Sequence, residues 1–203
     1  MKLACVVGAA TKPGRLGNAI AFSSEVASAA SDSVDVIDLA LTKVEICDGR
    51  PSDQYSQETQ NTIKAIGSAD AVIFGSPVYR ATYPGVLKNL LDHLPVAALK
   101  DKPVGIIAMA AGFHHYLGVD SHMRFVLAWF GALTLPNSVY LTNEDFTDGK
   151  LSSEQAKKDL QDLISTTRQF YLALREKEYG PTPLAAKPWS NQGAFYESRR
   201  NRH

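Results

Sequence analysis

The residues able to do chemistry in this 203-residue chain collect in three short, turn-rich stretches. The first, Gly8-Ala9-Ala10-Thr11-Lys12-Pro13-Gly14-Arg15-Leu16-Gly17-Asn18, joins the apolar run Leu3–Val7 to an amphipathic segment that extends to about Ala30. A strand, a loop of small residues and a helix start aim free backbone N–H groups and the positive end of the helix dipole at one point, and both favour a dianion. The order of the glycines fits neither a Walker A loop nor Gly-x-Gly-x-x-Gly. The second stretch, Gly75-Ser76-Pro77-Val78-Tyr79-Arg80-Ala81-Thr82-Tyr83, carries two flat rings and a cation. The third, Ala110-Ala111-Gly112-Phe113-His114-His115-Tyr116, opens with small residues that let a backbone approach a ligand closely.

Positioning these stretches requires strands that end just before them. Ala71–Phe74 is an unbroken apolar run with a turn signal at each end, which suits a strand buried on both faces of a parallel sheet. Gly75-Ser76-Pro77 stops it, because Pro77 cannot donate to a ladder and disfavours the helical region for Ser76. A helix follows, with Thr82 as its expected cap, Pro84 at its first position and Leu87, Leu90, Leu91 and Leu94 on one face. Further strands are expected at Val34–Leu39, after the turn Asp32-Ser33, and at Lys102–Met109. A fifth is expected at Leu133–Tyr140, where Pro136 forces it to lie near an edge or to start after the proline.

Thr42–Gln54 reads as a polar surface loop and Gln57–Ser68 as a helix with Thr59, Ile63 and Ile66 in phase. Leu117–Phe130 reads as a helix whose apolar face includes Leu117, Phe125 and Trp129. Thr142–Gly149 is acidic and turn-rich, and Ser152-Ser153-Glu154-Gln155 can cap a last helix to about Lys177, with Leu160, Ile164, Thr167 and Tyr171 on one side. Five strand-like runs alternating with helices give an α/β doubly wound parallel sheet of order 2-1-3-4-5 in three layers, whose ligands bind at the carboxyl ends of the strands. Residues 1–178 form one domain on this reading, and 179–203, with Pro181, Pro183 and Pro188, an irregular extension.

The pattern Gly-Ser-Pro-Val-Tyr at 75–79, followed by Tyr-Pro-Gly-Val-Leu-Lys-Asn-Leu-Leu-Asp at 83–92, resembles the NAD(P)H-dependent FMN reductase family of flavodoxin-like flavoproteins. It is most similar to the branch that supplies reduced flavin to two-component monooxygenases such as the alkanesulfonate systems. The resemblance covers roughly Leu3–Ala173 and implies FMN, with NADPH or NADH as hydride donor. It places the isoalloxazine against Pro77, Val78, Tyr79 and Arg80, the FMN phosphate at Thr11, Arg15 and Asn18, and Ala111 and Gly112 at the ring's pyrimidine edge.

Relatives usually carry Gly-Ser-x-Arg near the start of the first loop. Here Ala9 replaces the serine, and Thr11 with Lys12 stands where the arginine is expected. One hydroxyl ligand is thereby lost, which suits an enzyme that exchanges flavin as a substrate. Some monooxygenase-linked relatives carry an inserted residue that makes a π-bulge in the fourth helix at a tetramer interface, and His122 is the candidate here. The resemblance also implies a homodimer or homotetramer. Two further readings keep the same fold: an FMN-containing quinone, azo or chromate reductase, and a one-electron flavodoxin-type carrier, from which the chain departs in lacking both a Thr-Gly-x-Thr loop and a strongly acidic composition.

Lys and Arg total 21 and Asp and Glu total 21, so net charge gives no reason to expect nucleic acid or an anionic membrane as partner. No stretch of 18 or more apolar residues and no signal-peptide pattern is present, and the expected location is cytoplasmic. Cys5 and Cys47 lack the spacing of a redox or zinc motif and read as free thiols. His114 and His115, adjacent in a loop, point apart and have no third ligand at metal spacing. No metal and no catalytic side chain is assigned; the chemistry implied by the resemblance belongs to the cofactor.

Overall fold

The computed structural model describes residues 1–11, 14–113 and 116–181. Lys12, His114, His115 and nearly all of the expected extension lie outside the described residues. Five strands, β1 (Lys2–Val7), β2 (Ser33–Asp38), β3 (Ala71–Pro77), β4 (Pro103–Met109) and β5 (Leu133–Thr134), form a parallel sheet of order β2-β1-β3-β4-β5, and β6 (Val139–Leu141) pairs farther along β4. This is the flavodoxin-like order expected from the alternation of strands and helices.

Period-two alternation sorts the strand residues into two cores. Ala4, Val6, Val72, Phe74, Val104, Ile106 and Ala108 face α2 (Gln57–Gly67), α3 (Gly85–His93) and α4 (Tyr116–Phe130). Leu3, Cys5, Val7, Ala71, Ile73 and Ile107 face α1 (Arg15–Ala29) and α5 (Glu154–Leu174). A parallel strand with a helical layer on either side has no wet face, which is why β3 and β4 read as continuous apolar runs. Each fully buried Leu, Ile or Phe contributes roughly 1.5–3 kcal/mol by leaving water.

Local chemistry sets the ends of the elements. Ser56 caps α2 by accepting from the Thr59 N–H, and Ser153 caps α5 by accepting from the Ala156 N–H. Thr82 does not cap α3: Pro84 occupies the cap position in an extended conformation and Gly85 is the first helical residue. The fixed φ of proline suits the junction between the extended chain and the first turn.

The fifth strand is split at Pro136. Arg124 reaches from α4 into the break and donates to the Leu135 carbonyl at 2.7 Å and the Pro136 carbonyl at 3.1 Å, while its Nε donates to Asp120 at 2.8 Å. The guanidinium fork therefore satisfies carbonyls left without a ladder partner. Beyond β6, Thr142 and Asp145 cap a short 3₁₀ turn reciprocally, and β7 (Phe146–Thr147) and β8 (Lys150–Leu151) form a two-residue hairpin through Asp148-Gly149, both with positive φ.

Thr42–Gln54 is less independent than its polarity suggests. Asn89 on α3 accepts from the Cys47 N–H at 2.9 Å and donates to the Glu45 carbonyl at 2.8 Å, and the Arg50 guanidinium lies 4.3 Å over the Tyr55 ring. The expected apolar face of α4 is also reassigned. Val119, Met123, Leu127 and Phe130 enter the core, whereas Leu117, Phe125 and Trp129 are exposed. The helix is regular through His122, which is exposed and makes no π-bulge.

Both cysteines are free. Cys5 lies inside the sheet, where burial pushes its thiol up to about 12, while Cys47 is half-buried with its Sγ 3.4 Å from the Asp92 carbonyl. Reactivity follows the accessible thiolate. Iodoacetamide at about pH 8 is expected to label Cys47 in the native protein and Cys5 only after denaturation; mass mapping that finds Cys5 labelled at a comparable native rate would contradict its burial.

Candidate functional site

The three chemistry-bearing stretches leave the sheet from the same rim. β1, β3 and β4 are adjacent and parallel, with Val7 opposite Gly75 and Pro77 opposite Met109. Their carboxyl ends therefore open side by side. The Gly8 N–H donates to the Gly75 carbonyl at 2.8 Å, and the Val78 N–H donates to the Met109 carbonyl at 2.8 Å, so each loop begins by bonding to the strand beside it. At Gly8 only glycine fits: a Cβ there would lie 2.6 Å from the Gly75 oxygen and 2.8 Å from Leu87 Cδ2.

The first loop ends at α1, whose cap residue Gly14 offers no side chain to the first turn. The N-terminal N–H groups of a helix have no partner within the helix. Thr11, Arg15 and Asn18 are all exposed around this end. The Arg15 Nη1 donates to Asn143 Oδ1 at 2.9 Å, and Asn18 Nδ2 donates to the Gly149 carbonyl at 2.5 Å. Both side chains thus rest on the excursion between β6 and α5. Asn143 is neutral, and among the described residues Arg15 has no carboxylate ion-pair partner. Its charge, beside a helix N-terminus, is left for an anion.

The second loop is a tight hairpin turn. The Tyr79 N–H donates to the Thr82 carbonyl at 2.7 Å, and the Thr82 N–H returns to the Tyr79 carbonyl at 3.1 Å. Arg80 and Ala81 between them hold φ of 51° and 64°. This is type I′ geometry, normally filled by Asn-Gly, and left-handed backbone costs a non-glycine residue roughly 1–2 kcal/mol. Strained backbone of this kind persists where the surroundings over-determine it, and it gathers at functional sites. Pro77 and Val78 are half-buried, while Tyr79 and Arg80 are exposed. The two tyrosines separate: Tyr83 packs against the core, which pushes its hydroxyl pKa up by desolvation, and Tyr79 stays at the surface. Tyr79 borders a largely apolar cleft of about 760 Å³ whose other walls include Ala10, Leu39, Val44, Pro84 and Val86.

The third loop carries exposed Ala111 and half-buried Gly112. The Tyr140 hydroxyl donates to the Gly112 carbonyl at 2.7 Å, and the Phe113 ring lies 5.9 Å from that of Tyr140. Burial raises the Tyr140 pKa, so the phenol keeps the proton it donates. Neither Asn143 nor Tyr140 is legible from sequence as a site residue. The turn chemistry of Thr142–Gly149 signals an ordered excursion, but not that it folds back onto α1.

The rim thus brings together a helix N-terminus with Arg15 on β1–α1, a partly apolar shelf beside Tyr79 on β3–α3 and the small residues Ala111 and Gly112 on β4–α4. Its donors and shapes fit a planar, phosphate-bearing cofactor at the carboxyl edge of a flavodoxin-like sheet. Comparison with known proteins carries the class further: the chain belongs to the NADPH-dependent FMN reductase family, whose model matches residues 1–147. An NAD(P)H-dependent FAD/FMN reductase of Geobacillus thermodenitrificans is 32% identical over 115 residues, 57% of this chain and 62% of that protein. The NADH-dependent FMN reductase SfnF of Pseudomonas fluorescens is 41% identical over 100 residues, 49% of this chain and 54% of that protein. The chain thus spans between half and two thirds of the length of these curated relatives. The solved apo structure of EMOB, an NADH:FMN oxidoreductase, superposes with a TM-score of 0.72 over 87% of this chain and 91% of that one; at 21% identity this is a likeness of fold.

The neutral partner of Arg15 yields a graded expectation. Arg15→Ala removes a charge-assisted contact to any bound phosphate, a loss of roughly 1.5–3 kcal/mol or about ten- to a hundredfold in FMN affinity. Asn143→Ala removes only the tether and should cost a few-fold. Fluorescence titration with FMN measures both, and an affinity unchanged by Arg15→Ala would take Arg15 out of the phosphate site.

Proposed function

We propose that this protein is an NAD(P)H-dependent FMN reductase. The observation that carries this is the convergence of the β1, β3 and β4 loops on one rim, with Arg15, which has no carboxylate partner among the described residues, at the α1 N-terminus. On this reading Thr11, Arg15, Asn18 and the first N–H groups of α1 receive the FMN phosphate. Pro77, Val78 and Tyr79 form the wall for the isoalloxazine, Arg80 supplies positive charge to the reduced ring or to nucleotide phosphates, and Ala111 and Gly112 offer backbone at its edge. FMN, when bound there, would supply the redox chemistry as acceptor of a hydride from the reduced nicotinamide. The chain's own contribution is alignment of two flat rings and exclusion of water between them, so no acid/base side chain is required.

The missing hydroxyl at Ala9 supports loose, exchangeable flavin, and therefore delivery of reduced flavin to a partner monooxygenase. The domain runs through residue 178 on this reading, in the cytoplasm. Among the described residues no helix is long and apolar enough to cross a membrane. Exposed Phe125 and Trp129 line a groove of about 560 Å³ between α3 and α4, which supports a homodimer or homotetramer closed over this face. Light scattering is expected to give two or four copies, and Trp129→Glu to shift the mass to a smaller species. A wild-type monomer at micromolar concentration would rule the contact out.

Following NADH and NADPH consumption with and without added FMN, riboflavin and a quinone tests the activity itself. The expected result is oxidation that saturates with added FMN. Full turnover of a quinone without added flavin would instead make it a reductase with resident FMN, and failure to oxidise either nucleotide would leave an electron carrier.

A further inference from the structure

The strained turn at Arg80-Ala81 has a neighbour that explains how it is held. Gly118, half-buried in the first turn of α4, faces the Ala81 peptide so closely that a Cβ on it would overlap the Ala81 carbonyl oxygen, with the carbonyl carbon 3.0 Å away and Ala81 Cα 3.5 Å away. Gly118 has no positive φ that would demand glycine, and a helix interior otherwise favours alanine. The space its hydrogen leaves is filled by the turn. The turn itself contains no glycine, although both of its central residues adopt the left-handed region. Nothing in the local sequence selects that conformation, so a tertiary contact must.

We infer that Gly118 is a positioning residue for the flavin wall: by letting α4 seat against the Ala81 peptide, it fixes the Tyr79–Thr82 turn and so the placement of Tyr79 and Arg80. The inference rests on the proposed ring site. It adds a positioning residue on α4, outside the three rim loops, that meets the turn through the Ala81 peptide. Substitution at Gly118 would act on the ring through the turn, by tilting the Tyr79–Arg80 segment, and leave the phosphate cradle on α1 as it is.

The two roles open to this glycine predict different results. If Gly118 served only to pack α4 against the turn, Gly118→Ala would lower the melting temperature, because its methyl meets the Ala81 carbonyl oxygen, and would leave flavin affinity alone. If it is a positioning residue, Gly118→Ala is expected to raise the FMN dissociation constant about tenfold, the order of effect when an aromatic wall contact to a ring is lost. The substitution should also change the quenching of bound flavin fluorescence, with affinity for inorganic phosphate unchanged. Ala81→Gly, which suits the turn and frees its carbonyl to swing clear, is expected to shrink the Gly118→Ala effect severalfold in the double variant.

Tyr79→Ala and Arg80→Ala, titrated alongside, separate the positioning role from the ring site on which it rests. If either weakens FMN binding and Gly118→Ala does not, the positioning role is wrong and the ring site stands. If neither weakens it, the ring site is wrong, and the positioning role falls with it whatever Gly118→Ala does. A Gly118→Ala protein that fails to fold by circular dichroism, or equal losses with and without Ala81→Gly, also overturns the inference.

Discussion

The contact on which the rest of the architecture depends is the approach of Gly8 to Gly75 at the ends of two neighbouring parallel strands. Their 2.8 Å backbone bond continues the β1–β3 ladder one step past the sheet, and Leu87 closes on the same point from α3. No side chain intervenes. The two strands consequently release their loops at the same height, and β4 follows through the bond from Val78 to Met109. A cradle for an anion and a wall for a ring can share one ligand only if this rim is level. In a close-packed interior that condition is set by individual atoms: a single methyl would lie well inside contact distance of a backbone oxygen and of a leucine that has nowhere to go.

The electrostatic design obeys a similar restraint. The helix proposed to receive the dianion, α1, has no acidic residue in its first turn, and its cap is a glycine. Its arginine is steadied by an amide from the β6–α5 excursion. A carboxylate in that position would hold the guanidinium more firmly but would cancel the field that the anion is meant to feel. A neutral tether keeps the side chain in place and leaves its charge without a carboxylate partner among the described residues, and the excursion that supplies it is ordered by the reciprocal capping of Thr142 and Asp145 and by the Asp148-Gly149 turn.

Much of this is legible in the residues. Runs such as Ala71–Phe74 and Val104–Met109 are long enough and apolar enough to mark buried strands, and their alternation with amphipathic segments fixes the winding of the sheet. What escapes a reading of the chain is decided by tertiary contact. Thr82 has the chemistry of a helix cap, yet it closes a hairpin turn instead, because Arg80 and Ala81 adopt a hand that their types do not announce. Leu117, Phe125 and Trp129 are apolar at helical spacing, so a helical wheel puts them inside; the sheet instead takes the stripe of Val119, Met123 and Leu127. The proline at 136 forecasts an interruption, but not the arginine that fills it. Pairs such as Arg15 with Asn143, 128 positions apart, have no local signature at all.

Arg124 and the break it occupies bear on how the molecule behaves in a crowd. The edge of the sheet beyond β4 is held by strands of two and three residues, separated by a break at Pro136 where the Leu135 and Pro136 carbonyls are already engaged by a guanidinium. A bare, continuous edge would offer a foreign strand a row of open donors and acceptors. Here that row is cut short and partly capped by charge, so the same fork that mends the fold denies a foreign strand this edge and leaves the six-residue β2, on the opposite side of the sheet, as the longer open one.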